Sequence, residues 1–353
     1  MKQTVKLAAA LAATLSLSAG AALADNPVVL KAVGTWSSLT NYQKHEGPFF
    51  NERLAEASGG SIVGEIQSQS GLGLKGFEIM RLVKNGVFDF AFGLPGYVAA
   101  ENAIFEGADL SSVTQDINTQ RQVAEAYYPT MEKAFAEIYN AKLLMLYPFP
   151  SQTLWCNAEV NGIEDLKGKK IRVYATTLGD FVEGAGGTSV TVPFSEVIPA
   201  LEKGVVDCGI TGTASGNIAK LPEVTSYVYA LNAGWAPQLR IVNAKWFAKQ
   251  PAEVQEWLTL ASAYFEQEMA WPTQIHNHEM GLACTAGEAR CDTTGGFTMY
   301  DSTVTYPTEA ELKTVQEQVQ SDVLPNIAAN CGDACVADWN ETVGKVVGIT
   351  MSK

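Results

Sequence analysis

Apolar and polar positions near the start of the chain alternate between strand and helix periods, and their order predicts an α/β unit. Val28 to Trp36 has the pattern of a strand, Tyr42 to Ala57 that of an amphipathic helix, and Ser61 to Gln67 that of a second strand. A helix through Lys84 and a short apolar strand after it follow. This succession predicts a βαβαβ unit.

A glycine stop that follows a helix occurs twice and predicts two lobes of similar construction. Lys84 to Phe90 reads KNGVFDF, and Lys203 to Gly209 reads KGVVDCG. In each copy a Gly ends a helix and an apolar run enters a sheet. Thr153 to Cys156 has the pattern of a strand that crosses from the first lobe into the second.

A long helix is predicted to bridge the two lobes. Pro251 to Met280 has a helical pattern and would extend ~40 Å. Pro272 within it removes a backbone hydrogen bond and should kink it. The predicted first lobe consists of residues 25–151, with return segments from about 233–280 and the C-terminal helices. The predicted second lobe consists of residues 152–232, and the bridging helix of residues 251–280. Residues 281–353 are predicted to form a disulfide-containing segment that is irregular up to Tyr306.

The N-terminal residues have the pattern of a secretory signal peptide. Lys2 and Lys6 precede an apolar run that ends at Ala22-Leu23-Ala24. A retained membrane anchor is the alternative, but the run is short and rich in Ala for a spanning helix. We therefore predict that residues 1–24 are removed after export and that the protein works in the periplasm.

The chain is acidic, with a formal net charge of −14 that becomes two units more negative without Lys2 and Lys6. Such a surface disfavours nucleic acid and anionic lipid as partners. No later apolar stretch has the length of a spanning helix, so no membrane span is predicted.

Six cysteines lie in the exported part, and an even number there favours disulfides. Fifteen pairings are possible in principle. Cys284–Cys291 and Cys331–Cys335 flank short Gly-containing loops, which leaves Cys156–Cys208 by elimination. A zinc site is the rival interpretation, but neither near pair has C-x-x-C spacing and the chain has only three His. No metal site is predicted.

Motifs for catalysis or cofactor binding are not found. The sequence contains no G-x-S-x-G, no H-E-x-x-H, no Walker loop and no G-x-G-x-x-G after a strand. Binding is therefore favoured over catalysis, and no cofactor is predicted. A periplasmic α/β enzyme that acts on a small carboxylic acid, with Asp207 or Glu196 as base, remains the alternative.

Arg172 is the leading candidate for a binding residue. The segment Ile163 to Val173, IEDLKGKKIRV, places it in a predicted buried strand. A buried guanidinium is costly unless an anion meets it, and its fork of donors fits a carboxylate. The alternative is a structural pair with an acid such as Asp165 or Glu196.

This segment, followed by VPFSEV at 192–197, AL at 200–201 and GVVD at 204–207, resembles the DctP-like substrate-binding proteins of tripartite ATP-independent periplasmic (TRAP) transporters. The resemblance implies an α/β fold of two lobes that close on a ligand, mostly an organic acid, whose carboxylate Arg172 would bind. It also implies delivery to TRAP membrane subunits, a small four-helix subunit and a large transport subunit. We expect a monomer. In some family members a metal ion bridges the ligand and the protein, and the sequence leaves open whether this protein uses one.

Two departures from the family pattern bear on the ligand. Gln152 stands where relatives that bind dicarboxylates commonly carry a second Arg, and Thr188 stands at a position often held by Asn. One arginine favours a monocarboxylate with a neutral second pole. Further side chains at strand ends, where a crevice is expected, favour an aromatic or apolar ligand body; they are Trp36, Tyr97, Trp155, Phe194, Thr211 and Trp235.

Overall fold

The computed structural model describes residues 26–352, which form two lobes, each with one mixed β-sheet flanked by helices. The predicted leader of residues 1–24 lies outside this range. The first sheet has the strand order β2-β1-β3-β10-β4 and the second β11-β9-β5-β8-β6-β7. The strands are β1 Val28–Gly34, β2 Ile62–Ser68, β3 Phe90–Gly93, β4 Ala141–Tyr147, β5 Gln152–Cys156, β6 Lys170–Val173, β7 Thr188–Thr191, β8 Cys208–Gly212, β9 Tyr227–Tyr229, β10 Gln238–Asn243 and β11 Thr303–Thr305.

Helices of three kinds cover the sheets. The α-helical segments are Leu54–Ala57, Ile79–Lys84, Ile117–Tyr139, Thr176–Gly184, Val197–Glu202, Thr213–Ile218, Ala244–Ala248, Ala252–Phe265, Trp271–Thr285, Glu309–Gln318, Leu324–Cys331, Asp333–Trp339 and Lys345–Val347. Wider π-helical turns are Asn41–Glu46, Phe49–Arg53, Glu266–Ala270, Val319–Val323 and Asn340–Gly344. Short 3₁₀ turns are Pro95–Val98, Ala103–Glu106, Ile163–Leu166, Phe194–Glu196, Leu221–Glu223 and Thr293–Gly295. No helix in this part of the chain is long and apolar enough to cross a membrane.

The first sheet combines the predicted βαβαβ unit with a strand from far along the chain. β1 pairs in parallel with β2 and β3, and β10 inserts antiparallel between β3 and β4. The helical segment before β2 packs closely on this sheet, because a Cβ at Gly64 would lie 2.4 Å from the Phe50 carbonyl oxygen. Glycine at this position therefore permits the contact.

Two chain segments cross between the lobes side by side. The first joins β4 to β5 through residues 148–151, and the second joins β9 to β10 through residues 230–237. Gln152 N donates to the Gly234 carbonyl at 2.8 Å, and Ala233 N donates to the Gln152 carbonyl at 2.9 Å. These backbone bonds hold the two crossings together at the base of the cleft.

The predicted long helix contacts both lobes. In its first half, Trp257 Nε1 donates to the Ala57 carbonyl at 3.3 Å on the first lobe. In its second half, Thr213 of the second lobe donates to the His278 carbonyl at 3.3 Å. The π-helical turn lies just before Pro272, where proline removes a backbone donor. The helix continues beyond the predicted end at Met280 to Thr285.

The C-terminal part differs from the prediction in two respects. Thr303–Thr305, in the stretch predicted to be irregular, pairs with β9 at the edge of the second sheet. The C-terminal helices, assigned by the sequence to the first lobe, contact both lobes. Asn326 donates to Asp180 of the second lobe at 3.1 Å, and Trp339 donates to the Gly107 carbonyl of the first lobe at 3.0 Å.

Three disulfides join the pairs that the sequence predicts. Cys156–Cys208 links directly opposed residues of β5 and β8. Cys284–Cys291 closes a short loop after the long helix, and Cys331–Cys335 spans Gly332 between two C-terminal helices.

Candidate ligand-binding site

Arg172 lies in β6, between β7 and β8, and its exposed fraction is 1%. Its Nε donates to the Val192 carbonyl at 2.8 Å, and Nη1 donates to the Ile210 carbonyl at 2.6 Å. The guanidinium carbon lies 5.3 Å from the Tyr174 ring centroid. These contacts fix the direction of the guanidinium group.

Arg172 forms no ion pair with any residue from 26 to 352. The two acids considered as structural partners are engaged elsewhere: Asp165 accepts from Asn161 N at 2.8 Å, and Glu196 pairs with Lys75. Burial lowers the pKa of Arg172, and the groups that counter this are the Tyr97 and Tyr174 phenols. Because arginine is the most basic side chain in proteins, the group stays charged. The fold thus buries a cation without a carboxylate.

A cavity beside Arg172, here called the cleft cavity, lies between the lobes. Its volume is about 30 Å³, which holds about two water molecules. Both lobes and both crossing segments contribute to its wall. The lining residues are Trp36, Leu39, Leu94, Tyr97, Phe149, Gln152, Arg172, Tyr174, Phe194, Thr211, Ser215 and Ala236.

Six of the nine residues predicted to bind a ligand line the cleft cavity, and three lie elsewhere. Trp155 is on β5 at an odd offset from Gln152, so its side chain faces the opposite side of the sheet and packs against Gly216. Thr188 is exposed at the start of β7, whereas the cavity lies beyond the carboxyl ends of the parallel strands. Trp235 donates to the Thr114 carbonyl at 3.3 Å, away from the cavity.

Several lining residues were not found from the sequence. Tyr174 directly follows the KIRV strand, so its position after a strand end could have indicated it. Ser215 lies just after β8, which is the same kind of position. The apolar lining residues carry no local sign, because Leu, Phe and Ala in such places are more often part of a core.

Contacts between the lobes close the mouth of the cleft cavity. The Trp36 and Phe194 ring centroids are 5.1 Å apart, and Phe194 N donates to the Tyr97 hydroxyl at 3.3 Å. Lys75 of the first lobe and Glu196 of the second form an exposed ion pair. We call these three contacts the latch.

Two larger cavities, of about 310 and 330 Å³, adjoin on the first lobe and share Arg240. This arginine differs from Arg172 in its surroundings. Burial lowers the pKa of Arg240, but Glu46 and Glu266 oppose the shift, and the guanidinium stacks between Phe92 and Phe265 at 4.6 and 4.0 Å. Although neither carboxylate forms an ion pair with Arg240, both lie near enough to favour its charged form, whereas Arg172 has no such carboxylate in the described part of the chain; we therefore place the ligand site in the cleft. No cluster of metal-ligating side chains occurs within residues 26–352.

One buried carboxyl group, that of Glu106, and one partly buried carboxyl group, that of Asp109, lie near the crossing segments. Glu106 accepts from Thr177 N at 2.9 Å, and Asp109 accepts from Ala236 N at 2.8 Å. Burial raises the pKa of Glu106 to about 8 and that of Asp109 to about 7. Each group is therefore protonated in the folded protein at a pH where the unfolded chain is ionised. Stability is present below the unfolded pKa, 4.5 for Glu106, and is lost as the pH rises through the folded value of about 8.

We expect the melting temperature to fall between pH 5 and pH 8. Glu106→Gln, which keeps the shape of the protonated side chain without titrating, should flatten this decline. Thermal unfolding followed by circular dichroism across this range measures the slope. Glu341→Gln, which changes an exposed carboxylate paired with Lys345, is the control and should keep the parental slope. An equally steep decline in Glu106→Gln would contradict the assignment.

Comparison with protein families identifies a match over most of the chain. The model of the family described as bacterial extracellular solute-binding protein, family 7 (DctP), matches residues 33–280. The C4-dicarboxylate-binding periplasmic protein DctP of Rhodobacter capsulatus is 25% identical over 71% of this chain and 76% of its own length. The ectoine-binding periplasmic protein TeaA of Halomonas elongata is 22% identical over 51% of this chain, and the match spans only 54% of TeaA.

Solved structures share the fold. A Bordetella pertussis extracytoplasmic solute receptor that binds pyroglutamic acid has a TM-score of 0.75 at 21% identity, covering 90% of this chain and 99% of the receptor. A TRAP periplasmic solute-binding protein from Desulfovibrio salexigens with bound orotic acid has a TM-score of 0.76 at 15% identity, covering 90% of this chain and 99% of that protein. Both support the two-lobed α/β architecture.

Proposed function

Because the chain belongs to family 7 of the bacterial extracellular solute-binding proteins, we propose that it captures a small organic carboxylate in the cleft cavity for a TRAP transporter. The family consists of solute-binding proteins, so the enzyme alternative is not favoured. The two candidate bases are also engaged: Asp207 accepts from Lys170 N at 2.8 Å, and Glu196 pairs with Lys75.

The observation that carries this proposal is the buried, uncompensated charge of Arg172. A ligand carboxylate would supply the missing anion and accept charge-assisted hydrogen bonds. Expulsion of water as the lobes close lowers the local dielectric and strengthens the pair. By contrast, Arg240 already has Glu46 and Glu266 nearby.

The proposed ligand is a monocarboxylate with a flat or apolar body. Arg172 is the only arginine that lines the cleft cavity, and Gln152 stands where relatives that bind dicarboxylates commonly carry a second arginine. Aromatic rings of Trp36, Tyr97 and Phe194 form much of the wall. Pyroglutamic acid, bound by the Bordetella pertussis receptor, has one carboxylate on a small ring and fits this description.

Capture requires the lobes to part, because the contacts of the latch close the mouth of the cleft cavity. We propose that the open form admits the acid and that closure completes the latch. The closed protein would then dock on the small four-helix and large transport subunits. Removal of residues 1–24 as a signal peptide would place it, as a monomer, in the periplasm.

A ligand panel tests this proposal. Benzoate, pyroglutamate and succinate are added separately to purified, unfolded and refolded protein, and the melting temperature is recorded. An acid present at ~100 times its Kd stabilises by ~2.7 kcal/mol, which corresponds to roughly 4 °C for a protein of this size. We expect stabilisation by a monocarboxylate, and NMR should show that the acid is returned unchanged. Stabilisation by succinate alone would contradict the proposed ligand class, and turnover would contradict a binding role.

The latch leads to a kinetic prediction. Glu196→Gln removes the Lys75–Glu196 ion pair, whose side chains are about half exposed. Exposed pairs contribute ~0.2–1 kcal/mol, so ligand release should accelerate ~1.4-fold to 5-fold. Stopped-flow tryptophan fluorescence measures the release rate.

Ionic strength provides the control for the latch. Salt screens exposed charges, so 0.5 M NaCl should accelerate release from the parent but not from Glu196→Gln. Glu341→Gln removes an exposed ion pair far from the cleft and should release ligand at the parental rate. If the parent and Glu196→Gln respond equally to salt, the ion pair does not hold the cleft closed.

A further inference from the structure

The indole N–H of Trp36 has no hydrogen-bond acceptor anywhere in residues 26–352, although the side chain is only 3% exposed. Buried indole donors normally find a partner. Trp155, Trp235 and Trp339, which are also buried, follow this rule, since each donates its Nε1–H to a backbone carbonyl at 3.0 to 3.3 Å. Trp36 departs from the rule at the wall of the cleft cavity.

Neighbouring rings restrict the orientation of Trp36. Its centroid is 5.1 Å from Phe194 and 6.2 Å from Tyr97, and both contacts are edge-to-face. All three residues line the cleft cavity. In the closed protein the indole therefore cannot turn towards solvent to find an acceptor without breaking these contacts.

Polar groups around the cavity form hydrogen bonds with partners other than the indole N–H of Trp36. The Gln152 amide nitrogen donates to the Pro150 carbonyl at 2.8 Å, and the Thr211 carbonyl accepts from Trp155. The Tyr97 hydroxyl accepts from Phe194 N. A ligand in this space therefore meets the guanidinium of Arg172, and Trp36, whose indole N–H lacks a partner, lines the same cavity.

We propose that Trp36 Nε1 donates a hydrogen bond to a second, uncharged oxygen of the ligand, and that the protein thereby selects carboxylates with an additional carbonyl or hydroxyl group. This inference rests on the proposed function, because it assumes that the carboxylate occupies Arg172. A hydrocarbon acid of the same shape would leave the N–H buried and unpaired. That loss costs ~1–3 kcal/mol, or ~5-fold to 150-fold in affinity.

Two pairs of acids test the inference by calorimetric titration: pyroglutamate with cyclopentanecarboxylate, and benzoylformate with phenylacetate. Pyroglutamate has a lactam C=O and N–H in a ring of the same size as cyclopentanecarboxylate, and benzoylformate has a carbonyl where phenylacetate has a methylene. The parent should bind the oxygen-containing member of at least one pair ~5-fold to 150-fold more tightly. Trp36→Phe keeps an aromatic ring but lacks the N–H, so it should lose most of this preference.

Trp155→Phe is the matched control, because it also removes an indole N–H but lies outside the cavity, and it should keep the parental preference. Melting temperatures of both variants show whether they fold. If Trp36→Phe weakens both members of a pair equally, or if the parent binds them equally while still requiring Arg172, the hydrogen bond is refuted and the proposed function stands. If the parent binds none of the four acids, the proposed ligand class fails as well.

Discussion

Arg172→Met is expected to abolish carboxylate binding while the ligand-free protein stays folded. Truncating one member of a buried, hydrogen-bonded charge pair costs ~2–5 kcal/mol of binding free energy, which lowers affinity ~30-fold to several thousand-fold. In the ligand-free protein the same change removes a buried cation that has no carboxylate partner. It also leaves the Val192 and Ile210 carbonyls without their donor. The stability gained by removing the unpaired charge therefore offsets the stability lost with these two hydrogen bonds.

Arg240→Met is the matched control for this prediction. It removes a second arginine, which is partly buried and has Glu46 and Glu266 nearby. Loss of the cation removes the charge that favours the ionised form of the buried Glu46 carboxyl group, which destabilises the folded protein. We expect Arg240→Met to lower the melting temperature more than Arg172→Met does and to leave affinity in the cleft unchanged.

The two variants are therefore expected to show opposite effects: Arg172→Met should lose affinity, and Arg240→Met should lose stability. Melting temperatures without ligand and titrations with the acid that stabilises the parent separate them. The assignment of the site to the cleft would be wrong if Arg240→Met lost affinity and Arg172→Met kept it. Parental affinity in both variants would remove arginine from the binding mechanism altogether.

Removing the Cys156–Cys208 disulfide should cause the largest loss of stability. The bond joins residues 52 positions apart and ties β5 to β8, and the chain between them contains Arg172. By chain entropy, closing a loop of this length stabilises the folded protein by ~4 kcal/mol, and a loss of that size lowers the melting temperature by roughly 6 °C. Cys156→Ala/Cys208→Ala, melted beside the parent by calorimetry, measures this loss.

Cys331→Ala/Cys335→Ala provides the comparison. These residues are 4 positions apart, and so short a loop contributes ~2 kcal/mol by the same reasoning. We expect a melting temperature between those of the parent and the Cys156→Ala/Cys208→Ala variant. A larger loss from the short loop would contradict the chain-entropy explanation.

The sequence predicted those parts of the fold that local patterns encode. The βαβαβ unit, the crossing at β5 and the long helix depend on periodicity and on residues such as Gly86 and Pro272. The insertion of β10 between β3 and β4, and of β11 beside β9, depends on contacts between distant segments that no local pattern carries. Three-residue β11 is also too short to show a period.

In the site, Arg172 could be predicted from the chemistry of a buried charge. The directions in which the neighbouring side chains point could not. The positions of Trp155 and Trp235 at strand ends predict that both side chains bind the ligand. Whether a side chain there points into the cleft depends on strand parity and on partners such as Thr114. The unpartnered indole of Trp36 likewise emerges only when every nearby acceptor is located.

The role of Arg172 is tested most directly by the small molecules that co-purify with the protein. The parent and Arg172→Met are purified from the same expression host and denatured to release what they bind. Quantitative mass spectrometry of each extract identifies what co-purifies and its ratio to protein. We predict a carboxylic acid near one equivalent in the parent and its absence from Arg172→Met. The same acid in equal amount in both proteins, or a bound molecule without a carboxylate, would contradict the role of Arg172 as the carboxylate-binding residue.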